Sequence, residues 1–217
     1  MKKLKRMAVV LAAAMSLLVT GCAQEFDAKG YVQGDLDAVL KGEISEDYLK
    51  LVDSTEEEIL AENEKLMDEN MAVFEDLGLS DEMVEKYRGY MTELMKKCKY
   101  TVGEAVKTDE GYTVTVTVEP ILFGDALEGA LTSAETDLIN WITEVAASEE
   151  VPTEEEILEK TYDILYTYLN DGLDEIGYGE GVAYDLHVVK DDNNMYTVVE
   201  DDVLALGEGI IDPGQMQ

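Results

Sequence analysis

The 217 residues carry 49 acidic side chains against 16 basic ones, a formal net charge of −33, with 46% hydrophobic residues and a single histidine. A chain this acidic is repelled by nucleic acid, with a field that reaches about 8 Å at physiological salt, so nucleic-acid binding is excluded. One histidine also rules out a multi-histidine metal site within one chain.

The N-terminus sets an address. Lys2, Lys3, Lys5 and Arg6 precede an apolar run from Met7 to Val19, too short to span a bilayer and laid out like a secretory signal peptide. The run closes on LVTGC, which resembles the lipobox of bacterial lipoproteins, with Gly21 at the cleavage position and Cys22 as the first mature residue. The resemblance implies a signal peptide over 1–21 and a lipid anchor of palmitate-type acyl chains on Cys22. The protein is then held on the extracytoplasmic face of the cell membrane without spanning it. Each buried methylene contributes about 0.8 kcal/mol, so two chains hold where one would not. Loss of 1–21 removes four of the 16 basic residues and none of the acidic ones, which moves the net charge from −33 to −37. Cys98 is left as the sole thiol, with no disulfide framework.

Residues 22–28 form the lipidated cysteine and a short tether. A helix is expected at once, with Tyr31, Val32, Leu36, Val39 and Leu40 on one face, then a short one over Glu46–Val52. The six residues TEEEIL occur twice, at Thr55–Leu60 and Thr153–Leu158. Both read as helix starts, capped by Ser54 or Thr55 (with Glu57 as the box partner) and by Thr153 with Glu156, the glutamates facing the positive end of the helix. The first carries Leu60, Met67, Met71 and Phe74 inward. Ser80 opens another helix, with Val84, Tyr87, Met91, Leu94 and Cys98 aligned.

The period then switches to two. Tyr112, Val114, Val116 and Val118 alternate with threonines, which predicts a half-buried strand paired with Lys99–Lys107 through the turn TDEG. A long helix is expected from Asp125 with Glu128 in its capping box, burying Leu127, Leu131, Ala134, Leu138, Trp141 and Val145. After the second TEEEIL helix, the connector GYGEG (Gly177–Gly181) leads to a second hairpin, Val182–Lys190 and Met195–Val199, turning at DDNN (191–194). A helix near Asp202–Leu206 and a polar tail over 207–217 finish the chain. The fold class is α+β: a mainly antiparallel sheet of about four strands, from two hairpins, packed against several amphipathic helices. Residues 29–206 form one domain, with two similar helices-plus-hairpin halves (29–120 and 121–206) as an alternative reading.

Little in the pattern is chemical. Cys98 lies on an apolar stripe, where a thiol is a small core side chain rather than a nucleophile. His187 and Asp185 point to the exposed face of their strand, and no G-x-S-x-G accompanies them. No calcium-loop spacing occurs in the sequence; DDNN (191–194) and Glu200–Asp202 are the best surviving calcium candidates, set against a plain polar turn. GYGEG lacks the lysine of a phosphate loop. Trp141, Tyr162, Tyr166 and Tyr168 offer rings that can stack on a sugar, but at helical spacing among leucines Trp141 and Tyr162 read as core, Tyr166 less so. No catalytic, cofactor or metal residue is assigned; Cys22 is the one site residue.

The lipobox, the opening FDAKGYVQGDLDAVLKG and the acidic helices resemble small lipoproteins of Gram-positive type that carry a domain of unknown function. That resemblance brings no activity with it. The expected function is a membrane-anchored envelope lipoprotein that binds a ligand or protein partner without catalysis. The alternatives are a wall-polymer hydrolase using acidic residues and a calcium-dependent adhesion or sensing module.

Overall fold

A computed structural model of the protein describes residues 19–20, 26–148, 151–191 and 195–212. The expected lipidation site Cys22 and the centre of the DDNN turn lie outside them. Seven helices and an antiparallel sheet make the fold α+β. In chain order the helices are α1 (Ala28–Leu36), α2 (Glu46–Val52), α3 (Glu56–Glu75), α4 (Asp81–Lys96), α5 (Phe123–Ala147), α6 (Glu154–Asp171) and α7 (Glu200–Ile210). The strands are β1 (Val19–Thr20), β2 (Lys99–Lys107), β3 (Gly111–Glu119), β4 (Ile121–Leu122), β5 (Gly177–Tyr178), β6 (Val182–Lys190), β7 (Met195–Val198) and β8 (Ile211–Asp212). The described residues fall into two compact units. Unit 1 takes those of Met1–Asn70, Met95–Pro120 and Gly179–Ile211; unit 2 takes those of Met71–Leu94, Ile121–Tyr178 and Asp212–Gln217.

Unit 1 holds the main sheet, in the order β1-β7-β6-β3-β2. Alternation in β3 decides its sidedness. Val114 and Val116 are fully buried and Val118 nearly so, while Thr113, Thr115 and Thr117 face outward. Burying each valine contributes about 1.5–3 kcal/mol. The β6 partners repeat the pattern, with Leu186 and Val188 buried opposite Val114 and Tyr112. Helices α1 and α7 cover this face. Gly111 has to be glycine, because a Cβ there would run into the Val188 carbonyl of β6.

The predicted hairpins match closely, and several helix ends differ. The first TEEEIL helix is capped by Thr55, whose Oγ1 accepts from Glu58 N at 3.2 Å while Glu58 Oε2 accepts from Thr55 N at 3.0 Å. Glu58, rather than Glu57, therefore closes the box. The second copy behaves as expected, with Thr153 and Glu156 exchanging the two bonds. The long helix starts at Phe123, before Asp125, and its cap residue Leu122 makes no side-chain bond. GYGEG is not wholly a connector: Gly177–Tyr178 pair with Leu122 and Ile121 as a strand of a small second sheet in unit 2. Helix α7 runs to Ile210, into the stretch expected as tail.

The first helix departs most. After Leu36 it widens into a π turn, Asp37–Lys41, which ends at Gly42 with φ 68°. The wider turn brings Ala38 into the core and leaves Val39 half exposed. Asp37 fixes the turn: it accepts from Tyr100 Oη at 2.5 Å, Gln33 Nε2 at 2.7 Å and Lys41 Nζ at 2.9 Å. Burial pulls the Asp37 carboxyl up, but the three donors together hold it below its ordinary value.

Asp35, two residues earlier and on the apolar face, is buried. Its Oδ1 accepts from the Tyr48 hydroxyl, and its Oδ2 has no partner among the described residues. Burial pushes this carboxyl up to about 8, outweighing the Tyr48 hydrogen bond that lowers it. The folded chain therefore holds a proton here that the unfolded chain releases near pH 4. Stability from this group is full below about pH 4 and declines by about 1.4 kcal/mol per pH unit until the folded-state value near 8 is passed. Between pH 6 and 8 ordinary carboxylates are already ionised, so the difference between wild type and Asp35→Asn isolates the part of the slope that belongs to Asp35. Melting curves should show wild type losing stability over this window and Asp35→Asn losing much less. Parallel curves would remove Asp35 from the account.

Candidate functional site

Unit 2 is built on a helical hairpin, α5 and α6, and on the part of α4 that belongs to it. Helix α5 approaches its neighbours through small residues: Ala130 and Ala134 are its only buried side chains among those described. Helix α6 meets α4 through a ring cluster. Phe74 stacks on Tyr87 at 4.7 Å, Tyr162 and Tyr166 each stand edge-on to Tyr87 at 5.8 Å, and the Tyr87 hydroxyl donates to the Tyr162 carbonyl at 2.9 Å. Burial is the main cause that pushes the Tyr87 hydroxyl above its ordinary value, so this donor stays protonated.

Beside the cluster lies a groove of about 820 Å³, open to solvent. Its apolar surface comes from Met83 of α4, Trp141 and Val145 of α5, and the linker residues Val151 and Pro152. Its polar wall carries Glu82 and Lys86 from α4 and Glu156, Glu159, Lys160 and Asp163 from α6. The lysines are partnered: Lys86 Nζ lies 3.1 Å from Asp163 Oδ1 and 3.7 Å from Glu82, and Lys160 Nζ lies 3.5 Å from Asp163 Oδ2. The hydrogen bond from Lys86 heads the causes that hold the Asp163 carboxyl below its ordinary value. Ser80, which caps α4 through Met83 N at 3.3 Å, donates its own backbone N–H to Glu159. Within the lining, Val151 of the linker is 92% exposed, and elsewhere on α5 Ile139 and Ile142 are exposed.

The sequence-derived candidates fall elsewhere or take other roles. Trp141, expected in the core, is only half-buried and lines the groove. The expected inward face of α5 is its less exposed side, with Ala134 buried and Leu127, Leu138, Trp141 and Val145 half-buried, but Leu131 on it is 49% exposed. Tyr162 and Tyr166 belong to the ring cluster, and the Tyr168 hydroxyl donates to Asp137 at 2.5 Å.

In unit 1, His187 is exposed as expected, but not bare. Asp202 Oδ2 sits 2.8 Å from both its Nδ1 and its backbone N, which ties the start of α7 to β6. Asp185 accepts from the cross-strand Thr115 hydroxyl at 2.6 Å. No group of three metal-type ligands occurs among the described residues. Nor is any described helix long and apolar enough to cross a membrane.

The fold places this chain with a class of α+β proteins that includes one solved bacterial example. It is similar to the crystal structure of YcdA from Bacillus subtilis subsp. subtilis str. 168, a protein provisionally described as a lipoprotein. The likeness has a TM-score of 0.54 at 16% identity and covers 87% of this chain and 57% of that one, so this chain spans little more than half of that protein's length. At that identity the likeness speaks for the fold. No protein-family model and no curated protein matches the sequence.

Cys98 follows α4 rather than lying on it, and it is buried. Burial pushes its thiol up to about 12, with Lys41 pulling weakly the other way. Such a thiol reacts slowly, since the thiolate is the nucleophile. With Cys22 removed or acylated, a maleimide dye at neutral pH should label the native protein slowly and the guanidinium-unfolded protein fast. Fast native labelling would return Cys98 to the list of functional residues.

Proposed function

We propose that the protein is a lipid-anchored lipoprotein of the extracytoplasmic membrane face, and that the groove of unit 2 binds a partner without catalysis. The anchor reading rests on the n-region, apolar run and LVTGC box ending at Cys22. The similarity in fold to a protein described as a lipoprotein agrees with it. The observation that carries the binding reading is the groove: half-buried Trp141 and Val145 beside an acidic wall whose two lysines are both held by Asp163. Exposed apolar surface rimmed by polar residues is the usual mark of an interaction site.

The charge of the wall favours a cationic, partly apolar partner. Four carboxylates face two lysines, and Asp163 holds both lysines. The net charge of −37 on the mature chain adds long-range attraction for such a partner. A hydrolase reading would need one carboxyl here to be held protonated beside an ionised one.

Trp141 is the sole tryptophan, so its emission reports on the groove. A peptide alternating lysine with leucine, at physiological salt, should shift that emission saturably. Val145→Ser should weaken the binding about tenfold by removing roughly one buried side chain's contribution. In cells, Cys22→Ala should move the protein from the membrane to the soluble fraction. A shift that ignores Val145→Ser and vanishes in high salt would mean charge attraction alone. A Cys22→Ala protein still on the membrane would refute the anchor.

A further inference from the structure

The start of the folded chain bears on how an anchored molecule stands. Phe26 is stacked on Tyr196, with ring centroids 4.1 Å apart and planes 9° from parallel, and lies 5.6 Å from Tyr31 and 6.0 Å from Tyr112. Directly after it, Asp27 caps α1 by accepting from Gly30 N at 2.8 Å. Phe26 is therefore a pin: from this residue on, the chain is fixed to the sheet of unit 1.

The pin sits at one end of that sheet. Tyr112 is the second residue of β3 and Tyr196 the second of β7. The register sets Gly111 opposite Val189 and Lys190 opposite Tyr196. The β2–β3 turn, closed by Thr108 N donating to the Gly111 carbonyl at 2.9 Å, leaves at this end. So does the β6–β7 turn, where Asp191 N donates to the Met195 carbonyl at 2.8 Å. The other end, with Lys99, Glu119 and Val182, is about 26 Å away along eight residue steps.

Cys22 and Phe26 are four residue steps apart, a span of at most about 14 Å when fully extended. That is roughly half the length of the sheet, so an anchor on Cys22 can reach only the pinned end. We propose that unit 1 stands end-on upon the bilayer, with the turns at 108–111 and at Asp191 against the lipid headgroups and the Lys99–Glu119 end away from them. This rests on the acylation of Cys22 argued above. The pinned end suits a headgroup zone rather than a hydrocarbon one. Tyr196 and Lys190, whose ammonium lies 5.1 Å over that ring, combine apolar bodies with polar tips. Asp109, Glu110 and Asp191 forbid deeper insertion.

The test uses the full acylated protein in vesicles that contain a lipid with a nickel chelate on its headgroup. Spin labels are placed at Glu110→Cys or Glu119→Cys, both exposed positions, in a Cys98→Ala background. The nickel should relax the label at 110 several-fold more than the label at 119. Equal or reversed relaxation overturns the orientation. Phe26→Ala should shrink the contrast while mass spectrometry still finds the acyl group; an undiminished contrast removes Phe26 as the pin. An unacylated Cys22 would sink the lipoprotein reading, and this proposal with it. Acylated, vesicle-bound protein without the contrast sinks this proposal alone.

Discussion

The constraint on which unit 1 depends is the sidedness of β3. It is paired with β2 on one side, past a bulge between Val102 and Ala105, and with β6 on the other from Gly111 to Val118. A one-residue slip would turn Val114, Val116 and Val118 to solvent and put three threonines in the core. That penalty pins the register of both neighbours. Once the valine face is set, α1 and α7 have one place to bury Tyr31, Val32 and Leu36, and Val203, Leu206 and Ile210. The polar contacts at the edges then adjust what burial has already chosen: Asp202 on His187, and Asp37 on Tyr100.

Unit 2 is held differently. Its hairpin closes through two alanines on α5 and a set of aromatic rings between α4 and α6, which leaves much of the apolar surface of α5 uncovered. Small residues allow close approach but bury little area, so α5 gains less per residue than β3 does. A helix packed in this way keeps Trp141, Ile139 and Ile142 available. In this protein the surface with the most binding chemistry lies on the unit with the lighter packing, a common division between scaffold and recognising part.

Most of the sheet was legible in the sequence, and the reason is the period of two. Alternation over Tyr112–Val118 and over Tyr184–Val188 has a single structural solution, and the two acidic turns limit the hairpins. Helix starts were nearly as readable, because Thr153 with Glu156 is a local hydrogen-bonded unit that needs no tertiary partner. The choice between Ser54 and Thr55 was open at that level, since Glu57 and Glu58 offer a box partner to either. The π turn was hidden, because an extra residue in a helix leaves no compositional trace. Asp35 did leave one: an aspartate four residues after Tyr31, inside the apolar stripe of α1, is out of place on any helical reading. Trp141 was misread because a tryptophan among leucines and isoleucines at helical spacing has the same pattern whether the stripe is covered or open. Only the partner surfaces decide that, and they come from α6, the next helix, and from α4, which lies before the first hairpin in sequence.

Native-state hydrogen exchange tests the central claim, that the β3-centred sheet carries the stability and the groove-lining half of α5 does not. The account predicts the slowest amides in Tyr112–Val118 and Tyr184–Val188, opening only with global unfolding, and amides of Leu138–Ala147 exchanging orders of magnitude faster. Uniform protection across both regions, or the slowest exchange in α5, would contradict it.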